Sequence, residues 1–162
     1  MRVFWTALAI LAALLVQTAL GRVMPVQARI FDPFLLVVVY CGLTGGEVHG
    51  MLAGAAAGWV QDVHFGGRIL GHSGLSKLLL GFGVGMGSTR FHLGEPAARL
   101  LVLMVATVVD ALLFGQLAQV FDVQAYELSP VGLIARALVN GAVGMVVFET
   151  MDRQMRRWAP RA

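Results

Sequence analysis

The chain has 162 residues, 58% of them hydrophobic and 13% charged, with a mean hydropathy of +0.79, whereas a soluble domain carries about 25% charged residues. That leaves too little polar surface to cover a water-soluble globule. A net charge of +3 and a pI near 9.8 would suit nucleic acid, but the charges lie mostly between and beyond apolar runs, which is a membrane topology pattern rather than a nucleic-acid footprint.

Six apolar segments are read along the chain, near 3–20, 31–45, 47–61, 70–87, 97–120 and 130–150, with a basic tail over 151–162. They are expected to be helices, because an open strand in lipid leaves backbone groups unpaired. The expected fold is therefore an all-α membrane protein, a six-transmembrane-helix bundle with short loops in one integral membrane domain. In the first segment, Arg2 and a following apolar stretch also fit a cleaved signal peptide. The length of the run, and alanines such as Ala9 and Ala13, favour a retained helix. The second segment is short or irregular: its continuous apolar run starts only at Phe34, after Asp32 and Pro33. It is expected to borrow length at its ends or to be partly re-entrant and buried by its neighbours.

Orientation follows the arginines. With six spans, Arg2, Arg90, Arg99, Arg153, Arg156, Arg157 and Arg161 share one side, against Arg22, Arg29 and Arg68 on the other. Both termini are thus expected to be cytoplasmic. The fifth loop, with Asp122, Glu127 and no basic residue, suits the outside, and Trp158 suits a headgroup-level anchor.

Gly50, Gly54 and Gly58 repeat every four residues beside Ala53 and Ala57. They line one helical face that lets another backbone approach closely. Packing inside the chain is the first expectation for this face, and a partner interface the second. Asp110 and Arg136 lie inside apolar segments, where an unpaired charge is costly. They are expected to pair, with Asn140 one turn after Arg136, as an intramembrane polar clasp in preference to an ion or proton pathway. At the outer hairpin Asp62 is expected to approach Lys77, near His64, Gly66, Gly67, Arg68 and His72. Asp62, His64 and His72 make only a weak metal set. Cys41 is alone in an apolar run and reads as a small buried residue. No cofactor is expected, and no convergent nucleophile, base and electrophile suggests an enzyme.

In order and spacing the chain resembles the MreD family of rod shape-determining proteins. The residues that carry the resemblance are Arg29-Ile30-Phe31-Asp32-Pro33-Phe34, then the glycine- and alanine-rich Gly50 to Asp62, Gly66-Gly67, and Leu70-Gly71-His72-Ser73-Gly74-Leu75-Ser76-Lys77 with Gly81. Val108-Val109-Asp110, Val139-Asn140-Gly141 and the basic stretch Met151 to Arg161 follow. His64-Phe65 departs from the small polar turn usual in the family, and Arg136 is not a position associated with it. The resemblance implies a non-enzymatic subunit of the bacterial cell-wall elongation complex. It would bind MreC, a protein with one transmembrane helix, and work more loosely with MreB, RodA and a class B penicillin-binding protein. It also implies a fold like the substrate-binding subunits of energy-coupling-factor vitamin transporters.

The leading expectation is a membrane scaffold that contacts MreC at small-residue faces, either Gly50, Gly54 and Gly58 or the first helix with Ala9 and Ala13, with homodimerisation open. The rival is a solute-binding transporter subunit with a pocket at Trp59, Asp62, Arg68 and His72.

Overall fold

In the computed structural model, residues 2–65, 70–91, 95–122 and 129–158 are described. Gly66, Gly67, Arg68, Glu127 and Arg161, each named above, lie outside them. The described residues form α1 (Arg2–Val23), α2 (Gln27–Ile30), α3 (Pro33–Phe65), α4 (His72–Arg90), α5 (Pro96–Val120) and α6 (Pro130–Trp158). The all-helical class is as expected. Among the described residues, four stretches are long and apolar enough to cross a membrane: Val3–Val23, Gln27–Phe65, Pro96–Val120 and Pro130–Gln154. The last of these continues as helix to Trp158, so most of the expected basic tail is an extension of α6.

The second stretch is not one straight rod. Gly46 has φ 79° and ψ −171°, a backbone region open essentially to glycine alone. There α3 reverses into two antiparallel arms, 33–45 and 47–65. The rings of Phe34 and Phe65 lie 6.3 Å apart, where an unbroken helix would hold those residues roughly 46 Å apart. Pro33 suits the first turn of the first arm, because its missing N–H would be unpaired there anyway.

The first arm rises only about 20 Å, less than the hydrocarbon thickness of about 30 Å. It is tolerated because protein surrounds it. Leu35, Leu36 and Val39 pack with Leu80 of α4, Leu103 and Ala106 of α5 and Phe148 of α6. Phe34 and Val38 pack with Ile10 and Ala13 of α1 and Ala57 of the second arm. The shortest arm is therefore the centre of the bundle, with the longer helices between it and lipid.

The second arm and α4 run antiparallel in backbone contact. A methyl group at Gly50 would strike the carbonyl of Gly81, at Gly54 that of Lys77, and at Gly58 that of Ser73. Gly81 and Gly85 meet Gly50 and Glu47 in the same way. Lipid offers no hydrophobic drive between helices, so such close approach supplies the dispersion contact that holds them. Gly83 and Gly87, on the other side of α4, face open space. This accounts for Gly50, Gly54 and Gly58: their face is filled from within the chain by α4 and is not free for a partner. Ala13 is likewise buried and Ala9 half-buried, on the side of α1 that meets α3.

Among the described residues α1 packs only on α2 and α3. Its other side leaves Phe4, Leu8, Leu11 and Leu15 exposed. The hydroxyl of Thr6 shares a hydrogen bond of 2.9 Å with His49 Nε2, and Thr18 one of 3.3 Å with His64 Nε2. Gln17 Nε2 donates to the carbonyl of Ala28 at 2.8 Å, joining α1 to α2. At the opposite end from α2, Arg99 of α5 is ion-paired with Asp152 of α6.

Candidate functional site: a buried polar cluster

The polar groups of the interior converge where the first arm of α3 begins. Asp32 precedes Pro33 and the apolar run, which is a helix-start signature. Its Oδ1 accepts the N–H of Leu35 at 3.1 Å, satisfying one of the donors a helix N-terminus leaves open. Its Oδ2 accepts Lys77 Nζ at 2.8 Å. Its own N–H donates to Asn140 Oδ1 of α6 at 3.0 Å.

Lys77 is 3% exposed. Its ammonium bridges two carboxylates, Asp32 at 2.8 Å and Asp110 Oδ2 of α5 at 3.3 Å. Asp110 Oδ1 also accepts the hydroxyl of Ser76 at 2.9 Å. Asn140 Nδ2 reaches Thr107 Oγ1 at 3.5 Å, and Thr107 in turn donates to the carbonyl of Leu103. The cluster thus ties α3, α4, α5 and α6 together. The two buried carboxylates thus share the single ammonium of Lys77. Stripping charges of water costs several kcal/mol per ion, and only close pairing with further hydrogen bonds repays it. Each member here has that pairing.

Two expected pairings are corrected. Asp110 meets Lys77 and Ser76, not Arg136, whose Nε is buried without a hydrogen-bond partner. Asn140 joins the cluster, but through Asp32 and Thr107. Asp62 does not meet Lys77 either. The seam sets Gly58 against Ser73 and Gly54 against Lys77, so Asp62 lies two turns further along, at the start of α4. There its carboxylate accepts the N–H groups of Gly71 at 2.9 Å, Ser73 at 3.0 Å and Gly74 at 3.3 Å. Gly71, with φ 97°, cannot cap α4 with a side chain of its own, and Asp62 supplies the cap from the neighbouring arm. An anion there also faces the positive end of the α4 dipole.

Sequence reasoning missed Asp32 as a charge partner, along with Ser76 and Thr107. The Asp-Pro step before an apolar run was the available signal for Asp32. His72 is buried, with Nε2 donating to the carbonyl of Phe114 at 2.9 Å and its ring 4.1 Å from that of Phe114. No group of three His, Cys, Asp or Glu among the described residues is placed to hold a metal ion. Cys41 is buried, with Sγ 3.7 Å from the hydroxyl of Thr6.

Compared with known proteins, residues 1–151 match the family model described as rod shape-determining protein MreD. No curated protein and no solved structure matches the chain.

Proposed function

The chain belongs to the MreD family, and we propose that it is a non-enzymatic membrane scaffold of the cell-wall elongation complex. In this reading it is an inner-membrane protein with six spans, made of α1, the two arms of α3, α4, α5 and α6. Both termini are cytoplasmic, where the arginines at the ends of α4, α5 and α6 gather. Its principal partner is the single transmembrane helix of MreC, with MreB, RodA and a class B penicillin-binding protein reached directly or through MreC.

The match over residues 1–151 carries the reading. The interior supports it, because Asp32, Lys77, Asp110 and Asn140 are engaged in joining helices to one another. A helix from a partner has no room on the Gly50, Gly54 and Gly58 face, which α4 fills. The partner therefore seats on a lipid-facing surface, held by close packing and not by apolar burial.

The transporter reading has less to stand on: Asp62 already holds the start of α4 and His72 already holds Phe114. Depletion in a rod-shaped host, with co-purification of MreC from the membrane, tests the proposal. Loss of rod shape, together with MreC recovered on the tagged protein, is the expected result. Rod shape retained on depletion, with defective uptake of a vitamin, would remove it.

A further inference from the structure

We propose, resting on the scaffold reading, that the partner's transmembrane helix seats in a notch between α1 and α6, against the first arm of α3. Around that arm each neighbour takes its own strip. Gly42 faces α4, where a methyl group would meet Gly81 and Gly85. Phe34 and Val38 pack with Ala57 of the second arm and with Ile10 and Ala13 of α1, and Cys41 Sγ lies 3.7 Å from the hydroxyl of Thr6. Leu35 and Val39 pack with Leu103 and Ala106 of α5. Leu36 reaches Gly144 of α6, and the rings of Tyr40 and Phe148 lie 5.1 Å apart. The strip left over carries Val37, half-buried, and Thr44, exposed, which share one face by their spacing. It points between α1 and α6, which do not touch each other among the described residues.

The opening is as wide as a helix. Helices pack with axes about 8–10 Å apart, and cylinders of equal width fit about six around one. Five flank this arm: the second arm, α1, α4, α5 and α6. One place remains, and a lipid chain is too thin to touch its floor and both walls at once. Lipid gives no hydrophobic drive between helices, so a partner gains most where it packs on several helices together. The second arm offers the opposite shape, a ridge on which Val48, Leu52, Trp59 and Val63 are 59%, 61%, 61% and 56% exposed.

The walls define the occupant further. α1 meets the second arm through Thr18 and His64, so its other flank, with Ala9 and Val16, borders the notch. α6 meets α5 through Gly141, so its other flank, with Arg136 and Val143, forms the facing wall. Arg136 is half-buried, and its Nε is buried without a hydrogen-bond partner. An unpaired donor inside a membrane is costly. The fitting occupant is therefore an apolar helix with one acceptor side chain, a carboxylate, amide or hydroxyl, at the depth of Arg136.

Full-length protein is produced with MreC, carrying a photo-crosslinking residue at Val16, Val143, Leu52 or Leu112, the last two being 61% and 56% exposed on other faces. Adducts with MreC are expected at Val16 and Val143 and not at Leu52 or Leu112. Val143→Trp, which narrows the notch, should lower recovery of MreC by roughly tenfold or more, with Leu112→Trp neutral. Arg136→Met should lower it by roughly threefold or more, and Arg136→Lys, which keeps a donor, by less. MreC recovered with adducts at Leu52 or Leu112 instead, adducts joining two copies of this chain at Val16 and Val143, or notch positions that label lipid alone would each overturn the seat and leave the scaffold reading standing. Failure of the unaltered protein to recover MreC would end both. The crosslinks need no change in the shape of the notch, so a folding defect in the tryptophan variant cannot shield the proposal.

Discussion

Against α3, α4 brings backbone to backbone at Gly50, Gly54 and Gly58, while α1 brings only side chains, Ile10 and Ala13 with hydroxyls at Thr6 and Thr18. The α4 seam has no slack, because a single methyl on its glycines collides with a carbonyl. The α1 seam is a looser fit of ordinary side chains, on a helix that touches no other long element among the described residues. In lipid, where apolar burial does not distinguish inside from outside, the difference lies in approach distance and in polar ties. It marks α3 with α4 as the rigid frame and α1 as the part laid on it.

That contrast can be broken in four places. Lys77→Ala leaves Asp32 and Asp110 buried without their shared cation. It is expected to be the most damaging, by about 3–5 kcal/mol, read as lost resistance to unfolding in detergent. Gly54→Ala forces the second arm off α4 and should cost about 3 kcal/mol by the same measurement. A neutral result would dissolve the frame. Asp62→Ala removes the acceptor for three N–H groups at the start of α4, with an expected loss of about 2 kcal/mol. Hydrogen exchange at Gly71 to Gly74 should rise while the centre of α4 stays protected. Thr6→Val, at the α1 seam, should cost about 1 kcal/mol. A loss as large as that of Gly54→Ala would show that α1 belongs to the frame after all.

How much of this is legible follows from what a sequence encodes locally. The four-residue glycine spacing announces a close helix contact, and the Asp32-Pro33 step with a short apolar run announces an arm too short to face lipid on its own. Composition and periodicity suffice for both. The partners of the buried charges are not legible. Shared depth matches Asp110 to Arg136, but the seam register places Lys77 opposite Gly54 and brings it to Asp110 instead. Hairpin adjacency matches Asp62 to Lys77, whereas the same register sets it two turns away, over the open N–H groups of Gly71, Ser73 and Gly74. Register between packed helices is fixed by contacts distant in sequence, and no single segment carries it.

The most direct examination of the whole account is to neutralise the cluster and keep its shape. In D32N/K77M/D110N, the asparagine that replaces Asp32 still caps the first arm. The methionine that replaces Lys77 fills most of its volume, and the asparagine that replaces Asp110 still accepts the hydroxyl of Ser76. Apolar or neutral replacement of a complete buried ionic group is often tolerated. The variant, produced in a host lacking its own copy, is expected to insert in the membrane, to recover MreC, and to restore rod shape. A variant that inserts and folds like the wild type but leaves the cells round would contradict the account, because the charges would then have a task beyond holding the helices.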